Sequence, residues 1–153
     1  MSLDDLEPVT AIDRVSFSLP WPERSFRFEI TDNPAARCWV AESALRVVGM
    51  LVLWLLTDEA HIATIAVHPE FRRQGIGRAL LTHALLAAAE QGARTAVLEV
   101  RASNLIAQEM YRKFGFLETA RRPRYYKDNG ESAVVMSLLS LRMEEMAALG
   151  GSR

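Results

Sequence analysis

One cysteine, Cys38, stands in a chain of 153 residues, which excludes an internal disulfide. Its neighbours, RCWVAE, read as a strand with no partner of the kind that activates a thiol, so Cys38 is expected to be a small core residue. Histidine is also scarce. His61, His68 and His83 are scattered, form no cluster with metal-ligand spacing, and read as strand, loop and helix-surface residues respectively. The longest apolar stretch, MLVLWLL from Met50 to Leu56, falls far short of the ~20 residues that span a bilayer, and no basic segment leads into an apolar one at the N-terminus. Nor does one sign of charge dominate. Lys and Arg total 18 against 19 Asp and Glu, a net charge of -1 without the global basic field that nucleic acid demands. These absences predict a soluble cytoplasmic protein, monomer or homodimer, with no metal, no membrane and no nucleic acid among its partners.

What is present is a mixed pattern of helix and strand, of a length suited to one well-buried domain. That domain is expected over residues 1–140, with a C-terminal tail over 141–153. Leu6, Val9, Ile12 and Val15 recur at threes after Asp4 and Asp5 and predict an amphipathic helix. Pro22 and Glu23 open a second helix that carries Phe26 and Ile30 and ends at Asn33-Pro34. Arg37 to Glu42 and Arg46 to Leu56 read as a hairpin, and His61 to Val67 as a third strand. A helix then runs to about Gln91, where Gly92 stops it. Arg94 to Arg101 is a strand, Asn104 to Phe114 a short helix, and Phe116 to Tyr126 with Ala133 to Leu139 an antiparallel pair. The remaining tail reads as one loose helix that frays. The order describes an α/β sheet of mixed direction, and the helix between the third and fourth strands makes that pair a parallel crossover.

That crossover helix begins with RRQGIGRAL, residues 72 to 80. The stretch lacks the lysine and the Ser or Thr of a mononucleotide P-loop, since Gly77 is followed by Arg78 and Ala79, and it lacks the third small residue of a dinucleotide fingerprint, where Leu80 stands. What survives is the general physics of an anion site: a strand ends, a short loop follows, and glycines open a helix whose unpaired N–H groups and dipole favour negative charge. Gly75 and Gly77 leave the backbone bare, and Arg72, Arg73 and Arg78 can flank a diphosphate with bidentate donors. An ordinary helix start with a solvated basic face is the alternative. Two glycines at a helix start cost stability, which favours the anion site.

The combination of IAVHPEFRRQGIGRALL with LEVRASNLIAQEMYRKFGF resembles the GNAT family of acetyl-CoA-dependent N-acetyltransferases, and the resemblance covers nearly the whole chain. It implies a mixed, mostly antiparallel sheet with one parallel strand pair splayed at the cofactor site and helices on both faces. FSLPWPERSF, LEVRASN and RYYKDNGESAVVMSL are similar to the family's members that acetylate the N-terminal alanine of a ribosomal protein. The implied acceptor is thus a protein or peptide N-terminus, with a small-molecule amine, a lysine, or acyl-CoA binding without turnover as alternatives. The implied cofactor is acetyl-CoA. By the same resemblance, Ile65, Ala66 and Val67 present backbone groups to the pantetheine arm. Arg73, Gln74, Gly75, Ile76, Gly77 and Arg78 wrap the diphosphate, Asn104 contacts the cofactor, Glu99 falls on the general base and Tyr111 on the general acid. Relatives usually open with a strand before the first helix. This chain starts at MSLDDLEP, already beside that helix, so the first family strand is expected to be missing.

The chemistry asks for such residues independently. An amine attacks a thioester only when neutral, and an α-amino group, with a pKa of about 7.7 to 8.0, gives up its proton more readily than lysine at about 10.4. A carboxylate at a strand end suffices as base, and a phenol suits protonation of a departing thiolate. A backbone N–H such as that of Val67 would meet the oxyanion. Each role has a plain rival. Glu99 can be an outward-facing strand residue paired with Arg101, and Tyr111 can simply pack on the sheet. Tyr125 and Tyr126, in the run Arg121 to Tyr126, read equally as part of a solvated edge strand or as a wall of the substrate groove.

Overall fold

The computed structural model describes residues 1–151. The chain folds as α1 (Leu6–Ser16), α2 (Glu23–Thr31), β1 (Ala36–Ser43), β2 (Arg46–Leu56), β3 (Glu59–Val67), α3 (Ile76–Glu90), β4 (Thr95–Arg101), α4 (Leu105–Lys113), β5 (Leu117–Arg122), β6 (Ala133–Leu138) and α5 (Met143–Gly151). The strands form one sheet in the order β1-β2-β3-β4-β6-β5. Only β3 and β4 run parallel, as the α3 crossover predicts; every other pair is antiparallel. No strand precedes α1 among the described residues, and the Met1 ammonium donates to the Cys38 carbonyl on the sheet edge at 3.2 Å.

β2 is apolar along nearly its whole length because it feeds both faces of the sheet. Its Leu51 and Leu53 join the core beneath α3, α4 and α5, while Met50 and Val52 join the core beneath α1 and α2. β4 alternates instead: Ala96, Leu98 and Val100 are buried on the α3 side, leaving Val97, Glu99 and Arg101 on the other. Phe26 is fully buried in the α1–α2 core, its ring 5.1 Å from that of Trp21. Phe26→Ala is expected to lower stability by about 3–5 kcal/mol, read as an earlier midpoint in urea denaturation.

Four expectations need correction. Val15 is 59% exposed. A spacing of three lags the helical turn by about 60° per step, so three steps after Leu6 the stripe has rotated to the opposite face. The strand expected to reach Tyr126 stops at Arg122, because Pro123 donates no N–H and Arg124 takes a left-handed φ of 53°. Tyr125 and Tyr126 therefore sit in a loop. The tail forms the expected helix, α5 (Met143–Gly151), but it is docked rather than loose: Met146 is fully buried against the α3-side core, and the Leu141 N–H donates to the Arg94 carbonyl at 2.9 Å. Finally, Cys38 is only half-buried, although burial still pushes its thiol up to about 11, the direction of an inert side chain.

Candidate active site

The site is organised by a bulge in β3. Val52 of β2 faces Thr64 and Leu53 faces Ile62, so Ala63 is an extra residue without a partner. Beyond that point β3 leaves β4: the parallel pairing runs from Glu59↔Thr95 to Ile62↔Leu98 and ends there, opening a gap flanked by Thr64–Val67 on one side and Glu99–Arg101 on the other. Peptide groups alternate in direction along an antiparallel strand. The His68 N–H donates to the Val48 carbonyl of β2, so the N–H and C=O of Val67 point the other way, into the gap. Ile65, two residues back in register with Leu51, shares that direction, whereas Ala66 points its backbone at β2 and its side chain into the α1–α2 core.

The loop after β3 turns back at its mouth. The Arg72 Nε donates to the Val67 carbonyl at 2.9 Å and its guanidinium reaches Ser16 Oγ at 3.2 Å. Arg72 thus ties the loop to β3 and to the end of α1, and a diphosphate would have to compete with those partners. Arg73, with φ 63°, and Gly75, with φ 81°, are left-handed, a conformation that suits glycine and strains arginine. The first α3 bond is Ala79 N–H to Gly75 C=O, and no side chain caps the helix, so the amides of Ile76 and Gly77 have no helical acceptor. Beside this turn lies a groove of about 690 Å³ between α3 and α4, lined by Arg73, Gly75 and Arg78 at one end and by Leu105, Ile106, Glu109, Met110 and Lys113 along its length. Bare amides, a helix dipole and basic side chains beside an apolar trough fit a ligand with a diphosphate and an apolar arm. Gln74 is exposed at the rim.

Sequence reasoning missed Gly49. A Cβ there would lie 3.0 Å from Leu80 Cδ1 and 3.3 Å from the Ala66 carbonyl, so its bareness lets the first turns of α3 seat directly on β2. An isolated glycine inside an apolar strand was the available signal.

Asn104 caps α4, its Oδ1 accepting from the Ala107 N–H at 3.2 Å. Buried Gln108 donates to the carbonyls of Arg101 and Ala102, both at 3.0 Å, and fixes α4 to the end of β4. On that helix Tyr111 is 6% exposed and packs against Phe116 at 5.9 Å. Burial raises its phenol well above the usual range, with Tyr126 adding to the effect, so the hydroxyl keeps its proton. The Tyr111 hydroxyl makes no hydrogen bond among the described residues, where Asp13 Oδ1 is the one buried side-chain polar atom without a partner.

On the opposite side of the sheet, at the same gap, lies a second pocket of about 450 Å³ lined by Trp21, Trp54, His61, Glu99, Tyr125 and Tyr126. Glu99 accepts from the Tyr125 hydroxyl at 2.8 Å and lies 3.8 Å from Arg122. The expected alternative pairing with Arg101 does not occur. Arg101 instead bonds Asp128 at 2.9 Å and Glu131 at 3.2 Å and lies 4.0 Å from the Tyr126 ring centre. This clamp holds the loop after β5 over Glu99, and burial pushes Tyr126 up to about 12. Arg101→Ala is expected to raise the KM of an acceptor amine about tenfold through loss of the clamp, with acetyl-CoA affinity unchanged; steady-state kinetics and calorimetry read the two.

A groove for a diphosphate and an apolar arm, joined through splayed strands to a pocket holding a carboxylate, is matched by what the chain resembles. Residues 6–116 match the profile described as "Acetyltransferase (GNAT) family". The chain belongs to that family. As a GNAT protein it is an acetyl-CoA-dependent N-acetyltransferase, moving an acetyl group to a primary amine. It is 40% identical over 136 residues to the putative [ribosomal protein bS18]-alanine N-acetyltransferase of Bacillus subtilis, covering 89% of this chain and 90% of that one. The crystal structure of the ribosomal-protein-S18-alanine N-acetyltransferase of Escherichia coli superposes with a TM-score of 0.84 at 32% identity, over 93% of this chain and 92% of that one. A putative streptothricin acetyltransferase from Bacillus anthracis, solved in complex with acetyl coenzyme A, matches with a TM-score of 0.65 at 25% identity, over 71% of this chain and 65% of that one.

Proposed function

We propose that this GNAT enzyme acetylates the N-terminal α-amino group of a protein, of the kind that begins with alanine on a ribosomal protein. The observation that carries the reading is the gap between β3 and β4, with Glu99 facing it from one side of the sheet and Tyr111 on a helix of the other. The alanine N-acetyltransferases of Bacillus subtilis and Escherichia coli that the chain resembles support the choice of acceptor.

In this reading the uncapped amides of Ile76 and Gly77, with Arg73 and Arg78 beside them, would hold the diphosphate of acetyl-CoA at the α3–α4 groove, the backbone groups of Ile65 and Val67 that point into the gap would hold its arm, and Asn104 at the head of α4 would contact it. The group supplies an acetyl thioester. The Val67 N–H meets the carbonyl oxygen as negative charge develops there. Glu99 receives a proton from the acceptor nitrogen, and Tyr111 donates its hydrogen to the departing sulfur. Tyr125 and Tyr126 wall the acceptor pocket and present hydroxyls to a peptide backbone. A site in which a single carboxylate takes the proton suits an α-amine better than a lysine, whose ordinary pKa is about 10.4.

The test is a panel of acceptors: Ala- and Ser-starting peptides, the same peptides with blocked N-termini and an internal lysine, a polyamine and an aminoglycoside. Turnover concentrated on free N-termini upholds the reading. Turnover concentrated on lysine, polyamine or aminoglycoside, or tight acetyl-CoA binding with no acetylated amine, overturns it.

A further inference from the structure

The acceptor pocket carries an indole two strands away from its carboxylate. Trp54 follows Met50 and Val52 along the face of β2 that meets α1 and α2, and it stands in register with His61 of β3, itself level with Val97 of β4. Glu99 lies two residues farther along β4, on the same face, and both it and Trp54 line the pocket.

That indole is held in one orientation. Its Nε1–H donates to Glu29 Oε2 of α2 at 2.9 Å, and the same oxygen accepts from Asn33 Nδ2 at 2.8 Å, so the acceptor atom is itself fixed. The His61 ring meets the indole edge-on, with centroids 5.3 Å apart. Glu29 is 8% exposed, and a carboxyl buried that far costs stability unless its hydrogen bonds are made. A tryptophan that only filled the core would need no such partner on α2. Trp54 is half-buried instead, with part of its ring presented to the pocket.

The geometry of the acceptor gives an oriented wall a task. The reacting nitrogen has to reach Glu99 and the gap, and the carbon that bears it also bears the first side chain and the rest of the peptide. The peptide leaves toward solvent, so the side chain must be housed in a cavity of about 450 Å³ already lined by Trp21, Tyr125 and Tyr126. A ring that cannot turn aside excludes a large side chain by repulsion, which a mobile one would not. We propose that Trp54 is a specificity-determining residue that closes the pocket to large first side chains, and that Glu29 is the positioning residue that holds its indole there. The inference rests on the reading of this pocket as the site of a protein N-terminus, and it adds the source of selectivity for small first residues.

The experiment measures kcat/KM for peptides identical except for a first residue of Ala, Ser, Leu or Phe. Wild type is expected to favour Ala over Leu by about tenfold or more, and Trp54→Ala to move that ratio toward Leu by about tenfold or more, the scale on which an apolar pocket senses added methylenes. Glu29→Leu, which removes the acceptor of the indole N–H, is expected to move the ratio the same way to a lesser extent. Glu29→Gln, whose carbonyl still accepts, is expected to restore the wild-type ratio. A tryptophan that serves only the core would lower turnover of every peptide alike. An unmoved ratio in a Trp54→Ala protein that still binds acetyl-CoA therefore overturns the proposal, as does a wild type that takes Leu as readily as Ala; an unmoved ratio in Glu29→Leu overturns the positioning role. Where Trp54→Ala does not bind acetyl-CoA, Trp54→Leu, apolar but smaller, carries the same test. A wild type that acetylates no peptide N-terminus overturns the N-terminal reading and the proposal with it, whereas an unmoved ratio leaves that reading standing.

Discussion

Glu99→Gln is expected to lower kcat by about a hundredfold or more, within the range a positioned general base supplies, while leaving the affinity for acetyl-CoA near that of wild type. The substitution preserves shape. A glutamine carbonyl still accepts from the Tyr125 hydroxyl, and the 3.8 Å pair with Arg122 that is lost has one partner largely in solvent, so its contribution to stability is small. What disappears is the capacity to bind a proton. The α3–α4 groove, where acetyl-CoA is proposed to bind, lies across the sheet and does not include this side chain. Thiol release measured with a peptide acceptor, beside calorimetry with acetyl-CoA, separates the two effects. A variant with full activity would remove Glu99 from the chemistry.

Gly77→Val is expected to raise the dissociation constant of acetyl-CoA by about a hundredfold. A Cβ at this position would lie 3.7 Å from Met110 Sδ and from Val67 Cγ2, ordinary contacts, so the chain can still fold. The two γ-methyl groups are different. They project from the first turn of α3, where the unpaired amides must be approached closely. Hydrogen bonds to a charged group are worth about 1.5–3 kcal/mol each, and losing two of them corresponds to a hundredfold or more in affinity. Gly77→Ala provides the control: alanine is favoured over glycine in a helix by about 1 kcal/mol, so this variant should melt later while binding acetyl-CoA within a few-fold of wild type. Equal binding by the valine and alanine variants would show that nothing approaches that turn.

Much of this was legible in the chain because local rules and tertiary structure agree. β2 was readable from its ends, Arg46 and Leu56, because an apolar run of that length between turns suits a strand buried on both faces. The parallel pair followed from a helix lying between two strands, and the start of α3 from the glycines at 75 and 77. The features that were not legible depend on contacts between distant residues. Nothing in HIATIAV announces that Ala63 is extruded from the ladder, yet that bulge parts β3 from β4. Arg101 and Glu99 alternate on one strand face and invite pairing, but Arg101 turns to Asp128 and Glu131, charges about thirty residues away that appear only when the loop after β5 folds over the site. The same loop withdraws Tyr125 and Tyr126 from the strand that β-propensity assigned them.

The central claim is that the gap between β3 and β4 brings a thioester to a free protein N-terminus. It is tested most directly by incubating an Ala-starting peptide from a ribosomal protein, with an internal lysine, with the purified protein and acetyl-CoA, then locating the product by fragmentation mass spectrometry. The expected result is one acetyl group on the α-amino nitrogen, with the lysine unmodified. Acetyl groups on the lysine alone, or an unmodified peptide beside a protein that binds acetyl-CoA, would contradict it.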